Sequence, residues 1–390
     1  MMSSTSTYDL LFINPLHAIS HVELRHLAQA LWEWTYCGNC PDNSFCFAQH
    51  CAWNERAKRL RNFWSHYQDM TSAYKPDFLS GCPALTSHDD LFALIRLIKQ
   101  HRDAPRAQLL HDFFEDSGRY HTSNADQRPT SADQNRAFNM AASLLFHVNC
   151  MHPHDNANIH TGTDFALFWR DNVSARQFKD IAFPSRSHTY FDSHHGSSHV
   201  RSKLAALSAV QLKKRSGLRI RATSDISCHL LLDPVDRSVQ VFHWTPILQE
   251  VLLETHQDTS NSIMPRQLAL ELLHTIHKVL FPVNRASGLL IKSLVAKEGF
   301  DENFGRYELA PYKRDDDPEI TYTYFGSRLA DLYDEPQRWE SWFVKKSRPS
   351  YMLMITMIGV IITVFIGIIG LGLVGVQTWI AWQQWRHPVN

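Results

Sequence analysis

From Pro349 to Trp385 the chain carries no charged side chain, and Arg348 and Arg386 bound the stretch. Nothing else in the sequence limits the fold so sharply. A helix crossing the hydrocarbon core of a bilayer needs about 20 apolar residues at 1.5 Å each. Met352 to Val374 supplies them, with fourteen Ile, Leu, Val and Phe residues. At about 0.3 to 0.6 kcal/mol each they favour insertion by roughly 4 to 8 kcal/mol. A soluble core helix rarely lacks a polar face over such a length. Tyr351 stands at one end, and Trp379, Trp382 and Trp385 at the other, where aromatic rings favour the headgroup level. The lipid bilayer is therefore an expected partner, and 350–382 an expected transmembrane helix.

The flanks predict an orientation. Lys345, Lys346 and Arg348 precede the span, and only Arg386, with His387, follows it. The positive-inside rule then expects a cytosolic N-terminal domain. The opening run Leu10 to Ile13 is short, is flanked by Asp9 and Pro15, and has no basic residue before it, unlike a secretory signal. The expected layout is that of a single-pass, tail-anchored membrane protein.

Five of the fifteen glycines lie between Gly359 and Gly375. Gly359, Thr363, Gly367 and Gly375 fall at intervals of four, with Leu371 filling the gap. Small residues four apart let two helices approach closely in lipid. The pattern predicts a homo-oligomer or a partner helix packed on this stripe, although glycine is in any case commoner in membrane helices.

The 390 residues leave room for one large domain or two ordinary ones. Apolar residues make up 44%, enough to build a packed core. With 39 basic and 39 acidic residues the chain lacks the basic excess of a nucleic-acid binder, so no nucleic-acid partner is expected. The 23 histidines make a pH response of partner binding or solubility conceivable.

Periodicity predicts an α+β fold: a mainly helical cytosolic domain with a small antiparallel β element, then one C-terminal transmembrane helix. Helical spacing recurs over 20–36 (Leu24, Leu27, Leu31, Trp34), over the basic stretch 52–70, and from Asp89 or Asp90 through Ile98. It recurs over 131–148, with Ser131 as the expected cap, and from Pro265 to Leu280, with Pro282 as terminator. "LRIRA" alternates, while "ISCHLLLD" and "SVQVFHW" flank the turn "DPVDR", a hairpin signal. "ITYTYFG" reads as a short strand. The expected division is a helical, Cys-rich region over 1–130, an α+β domain over 131–325 with a polar loop near 184–199, a juxtamembrane amphipathic segment over 326–348 carrying Trp339, Trp342 and Phe343, and the span.

Four of the seven cysteines, Cys37, Cys40, Cys46 and Cys51, sit within fifteen residues, with His50 beside the last. A pair of thiols two residues apart followed by two more is metal-like in kind. Zinc sites usually separate their ligand pairs by a dozen residues or more, so a redox pair or plain reduced thiols remain alternatives. Two histidine-rich groups (His147, Cys150, His152, His154, and His188, His194, His195, His199) and the run Asp315 to Asp317 offer further ligands. Phosphate-cradling glycine loops, a Gly-x-Ser-x-Gly elbow and a His-Glu-x-x-His motif are absent from the sequence. No catalytic residue and no organic cofactor is therefore nominated.

From about residue 130 onward, "CHLLLDPVDRSVQVFHWTPILQEVL", "PRQLALELLHTIHKVLFP", "YTYFGSRLADLYDEP" and the terminal "IGVIITVFIGIIGLGLVGVQTWIAWQQWRHP" follow one another in an order that resembles a large group of fungal membrane proteins, some with a CorA-like transporter domain. The resemblance implies a shared cytosolic α+β domain and a terminal anchor. It does not carry transport over, because two spans and a Gly-Met-Asn signature would go with that activity, and this chain has one span and no Gly-Met-Asn. The functional expectation is a non-enzymatic membrane-surface interaction or accessory protein with a protein partner. The alternatives are a divergent CorA-like ion transport protein acting as an oligomer, and an accessory factor or enzyme of a membrane-bound pathway such as fungal secondary metabolism.

Overall fold

The computed structural model describes residues 15–16, 18–76, 82–116, 128–151, 166–186, 197–256, 262–306, 312–317 and 319–386, with backbone alone for 197–201, 336–356 and 384–385. It divides into two compact units, Met1–Tyr333 and Asp334–Asn390.

Helix starts in the first unit are set by side-chain caps. Helix α1 (His21–Trp32) begins at Ser20, whose hydroxyl accepts from Glu23 N while Glu23 accepts from Ser20 N, a reciprocal capping box. It ends where Glu33 turns left-handed at φ 55°. Trp34, expected on the same helix, therefore lies beyond it. Helices α2 (Glu55–Arg59) and α3 (Arg61–Ser72) divide the expected 52–70 helix at Leu60. Helix α4 (His88–Gln100) starts from Ser87, with Asp90 as the reciprocal partner rather than the cap itself. Helices α5 (Arg106–His111) and α6 (Ser131–Phe146) follow. The cap of α6 is Thr130, not Ser131, because Thr130 has the extended backbone that aims its hydroxyl at Asp133 N, 3.2 Å away. Asp133 itself is buried and accepts from Tyr74 Oη and Ala84 N.

Strands β1 (Cys150–Met151) and β2 (Leu167–Phe168) pair in parallel. After α7 (Ala175–Ala182), α8 (Ser197–Ala206) and α9 (Ala209–Ser216) come β3 (Arg219–Thr223), β4 (Leu232–Asp233) and β5 (Ser238–Phe242). The hairpin signal is realised: β4 meets β5 antiparallel, with Leu232 opposite Val239, and Asp233 Oδ1 accepts from Val235 N and Asp236 N in the turn. β3, however, joins the other side of β5 in parallel, Ile220 opposite Val239, so the sheet is mixed, in the order β3-β5-β4. Alternation specifies a strand and its buried face; it does not choose the neighbour.

Helix α10 (Thr245–Glu254) and α11 (Arg266–His274) bury their apolar faces against each other, and a π-helical turn (Thr275–Leu280) extends α11. Pro265 stands at the cap, one place before the expected first turn. Buried His229 accepts from Phe242 N at Nδ1, so its Nε2 carries the proton and donates to Thr275 Oγ1 at 2.9 Å. After α12 (Arg285–Lys297), the expected strand over 320–326 is absent: residues 319–322 are irregular and 323–325 form a turn. The reason is Glu271, which takes the N–H groups of Tyr324 and Phe325 that a ladder would need. Helix α13 (Gly326–Arg386) then runs through the expected juxtamembrane segment; the side chains of Trp339, Trp342 and Phe343 lie outside the described residues, as does 187–196 of the expected polar loop.

The core of the first unit is continuous from Leu16 to Leu332, across the boundary expected near residue 130. Two acidic residues on α10 join the two parts. Glu250 receives Arg56 and the Trp34 indole, and Glu254 receives Lys99 at 2.7 Å. Lys99 and Glu254 are about 5% and 4% exposed, and Lys99 also donates to Leu31 O. Removing one partner of such a buried pair costs roughly 3 to 5 kcal/mol.

Candidate metal centre and membrane span

Residues 33–54, between α1 and α2, contain neither helix nor strand. Their backbone polar groups are met by local contacts instead: Cys46 N donates to Trp53 O at 2.7 Å, Cys51 N to Ala48 O at 3.1 Å, and the Trp53 indole to Ser44 O. Gly38, between the first two thiols, has φ +76°, a conformation that lets the chain reverse between them. Trp53 is fully buried against Phe45 and Trp64, with ring centroids 5.5 and 6.1 Å away.

This loop brings the four predicted thiols together. The Sγ atoms of Cys37, Cys40, Cys46 and Cys51 all lie within 4.8 Å of one another. Cys37 is 3.5 Å from Cys40 and 3.6 Å from Cys46, and Cys40 is 3.3 Å from Cys51. Cys46 and Cys51 are buried, Cys37 is exposed, and His50 is not one of the set. Ala48 N points at Cys46 Sγ, 3.4 Å away. Burial pushes the Cys40 thiol up; at Cys51 burial acts the same way but is outweighed by the N–H groups of Cys37 and Trp53 and the Cys40 thiol, which favour its thiolate.

Residues that sequence reasoning passed over hold the loop in place. Arg25, on α1, donates to Pro41 O and to Asp42 Oδ1, inside the segment between Cys40 and Cys46. Tyr36 Oη donates back to Arg25 O at 2.5 Å. A lone buried arginine on an apolar helix face was the available signal.

The other expected ligand groups divide differently. His147 is buried at the end of α6, and Cys150 is in β1. His152, His154, His188, His194 and His195, and the side chain of His199, lie outside the described residues. Of the aspartate run, Asp317 is gripped by Arg266 at 2.6 Å and Asp316 by Arg314 at 2.9 Å, so these carboxylates serve ion pairs. Among the described residues, the four thiols form the one group of three or more ligands close enough to share an ion.

A cavity of about 260 Å³ lies among Phe63, His66, Met70, His147, Asp225 and Trp244. His66 packs on the Trp244 ring at 4.5 Å. Burial pushes both histidines down, His147 to about 3. Asp225 is already occupied by the N–H groups of Asn149 and Ser227 and by the Ser227 hydroxyl.

In the second unit, Met357–Gln383 is a 27-residue stretch of α13 whose most apolar 18-residue window has mean hydropathy 2.8 and is not buried. It is long and apolar enough to cross a membrane. Phe365 is 65% and Leu371 74% exposed. The pair Arg266–Leu280 and Arg285–Lys297, bent by 114°, also passes on composition, but Leu268, Leu272, Ile276 and Leu280 are buried in the core of the first unit.

The small-residue stripe can now be placed. Each step of four advances about 40° around an α-helix, so Gly359, Thr363 and Gly367 share a sector while Gly375 lies about 160° from Gly359. A Cβ added at Gly359, Gly367 or Gly375 would meet no atom within 4 Å. The Thr363 hydroxyl donates to Gly359 O at 2.8 Å, so it offers a neighbour shape rather than a hydrogen bond.

No family model, no curated protein and no solved structure matches the chain.

Proposed function

We propose that the chain is a single-pass membrane protein that holds a non-enzymatic body on the cytosolic side of a membrane and binds a protein partner there. The observation that carries this reading is the exposed apolar helix Met357–Gln383. Its side chains are exposed among the described residues, and the stretch matches a hydrocarbon solvent in length and composition. The basic flank Lys345, Lys346 and Arg348 supports the cytosolic orientation. The sector Gly359, Thr363 and Gly367 supports pairing with a second copy of the helix.

A non-enzymatic body fits how its buried ionisable groups are used. Glu250, Glu254, Glu271 and Asp225 each take structural hydrogen bonds that lock neighbouring segments. Kinship in layout with the CorA-like group belongs to this reading, as a helical body with a small sheet ahead of a terminal span. Ion transport does not: from Met357 to Gln383 the span has no Asp, Glu, Lys or Arg to line a pathway.

The test is extraction of full-length protein from membranes, combined with glycan mapping. The chain stays in the pellet after alkaline carbonate and is released by detergent. Asn172, in the sequon Asn172-Val173-Ser174, is exposed and stays unmodified in a eukaryotic cell if the body is cytosolic. A glycan at Asn172 would invert the orientation, and release by carbonate would remove the anchor.

A further inference from the structure

We propose that Cys37, Cys40, Cys46 and Cys51 bind one zinc ion as a closed tetrathiolate, and that the ion is the structural centre of the loop between α1 and α2. This goes beyond the membrane reading and does not rest on it.

The argument starts from the sulfur geometry. Zinc holds thiolates at about 2.3 Å in a tetrahedron, which sets the sulfur–sulfur edges at about 3.8 Å. Three edges measure 3.5, 3.6 and 3.3 Å, and no edge exceeds 4.8 Å. The pattern of contacts also speaks against two disulfides. Cys37 approaches both Cys40 and Cys46, and Cys40 approaches both Cys37 and Cys51. The sulfurs converge on one shared point instead of separating into two bonded pairs, each of which would close to about 2.05 Å.

The donor set selects the metal. Four thiolates and no oxygen or imidazole suit a soft or borderline ion in a tetrahedral field. A polynuclear iron–sulfur cluster binds its thiolates through different irons and needs them farther apart than these sulfurs lie. All four positions are filled by protein, so no site is left for water or substrate, which is the mark of a structural rather than a catalytic zinc.

The surroundings are those of a supported site. A zinc tetrathiolate carries a net charge of about −2. Arg25, with its side chain 11% exposed, reaches the ligand loop at Pro41 and Asp42. Ala48 N donates toward Cys46 Sγ, the kind of second contact that orients a metal ligand. Gly38 supplies the left-handed turn within Cys37-Gly38-Asn39-Cys40. The ion also fills a structural need. A segment without helix or strand presents Trp53 and Phe45 to the core, and a bound metal supplies the order that a ladder would otherwise provide.

The experiment uses full-length protein purified in detergent without added metal, analysed for metal by mass spectrometry. The expected content is about one zinc per chain, with no stoichiometric iron. Cys40→Ser with Cys46→Ser abolishes the zinc, while Cys82→Ser, outside the cluster, keeps it. Because the double variant can fail to fold, a second measurement uses the wild-type chain: replacing zinc by cobalt(II) gives the visible and sulfur-to-metal charge-transfer bands of a tetrahedral tetrathiolate. Stoichiometric iron in place of zinc, an intact mass four hydrogens short from two disulfides, or a chain without metal that gives no such cobalt spectrum would each overturn the proposal.

Discussion

The body and the terminal helix use the same apolar residues in opposite ways. In the body, Leu27, Phe138, Ile247 and Leu272 have no exposed surface. In the helix, Ile361, Phe365 and Leu371 are each more than half exposed. Burying one such side chain is worth roughly 1.5 to 3 kcal/mol. The body collects that energy by folding on itself, so its stability depends on which residue meets which. Under the proposed membrane reading the helix collects it from a hydrocarbon solvent, so its behaviour depends on composition along a line. Changes in one region should therefore leave the measured property of the other unmoved.

The largest effect is expected in the span. Ile366→Arg with Ile369→Arg places two charges near its centre, at roughly 2.5 to 3.5 kcal/mol each. That cancels most of the insertion energy. The double variant leaves the membrane pellet in alkaline carbonate, while the melting temperature of the body stays the same. A body that melted earlier would break the comparison.

The converse test is Phe178→Ala. Phe178 is fully buried, stacked on Trp169 at 4.7 Å and edge-on to Phe146 at 5.2 Å. Its truncation costs about 3 to 5 kcal/mol, read as a lower melting midpoint with membrane extraction unchanged. Glu254→Ala leaves buried Lys99 with Glu33 at 3.4 Å and Leu31 O as partners, and should cost less than the about 3 to 5 kcal/mol of a wholly unpaired buried charge.

A smaller effect comes from pH and belongs to the body alone. Burial, and then Lys278, push His277 down to about 4. Its unfolded value is near 6.5, so below that pH the unfolded chain takes up a proton that the folded chain refuses. Stability therefore falls from about pH 6.5 to 4, by up to about 3 kcal/mol for this one group. Buried His147 and His229 act in the same direction. Glu271 has the opposite sign. Burial pushes it up to about 7 against the hydrogen bonds it accepts, so its contribution is lost as pH rises from about 4.5 to 7. A denaturation series should show stability climbing from pH 4 to 6.5, less steeply above pH 4.5 than the histidines alone would give, and Glu271→Gln should steepen that part of the climb. A flat profile below pH 6.5 would contradict the buried, neutral histidines.

The smallest effect concerns pairing of the span. Gly367→Ile should weaken self-association in lipid by about tenfold, or ~1.4 kcal/mol. Gly375→Ile, on another sector, should leave it unchanged. Equal losses would mean that the pairing face is not the one drawn here.

The residues that were legible in advance and those that were not differ in the range of their causes. The starts of α1, α4, α6 and α11 were readable to within a residue or two, because a cap acts over three positions, whereas α5, α7, α8, α9, α10 and α12 were not read; Ser131 was expected to cap α6, and the extended backbone at Thr130 decides otherwise. The thiol cluster was visible as composition, and its spacing argued against the usual zinc pattern. Its convergence depends on Gly38, on the turn from Cys46 to Trp53 and on Arg25 reaching across from α1. The roles of Glu250 and Glu254 were not legible at all, since their partners Arg56 and Lys99 stand more than 150 residues away in the chain.

The amino-acid sequence alone determined the apolar span and its polar limits, because partition into hydrocarbon is a sum over neighbouring residues and needs no partner. Only the tertiary structure decided that β3 pairs in parallel with β5, that four thiols share one point, and that carboxylates of α10 bind the N-terminal third. Those outcomes depend on contacts between distant segments, each weak by itself, whose geometry exists only once the core has closed.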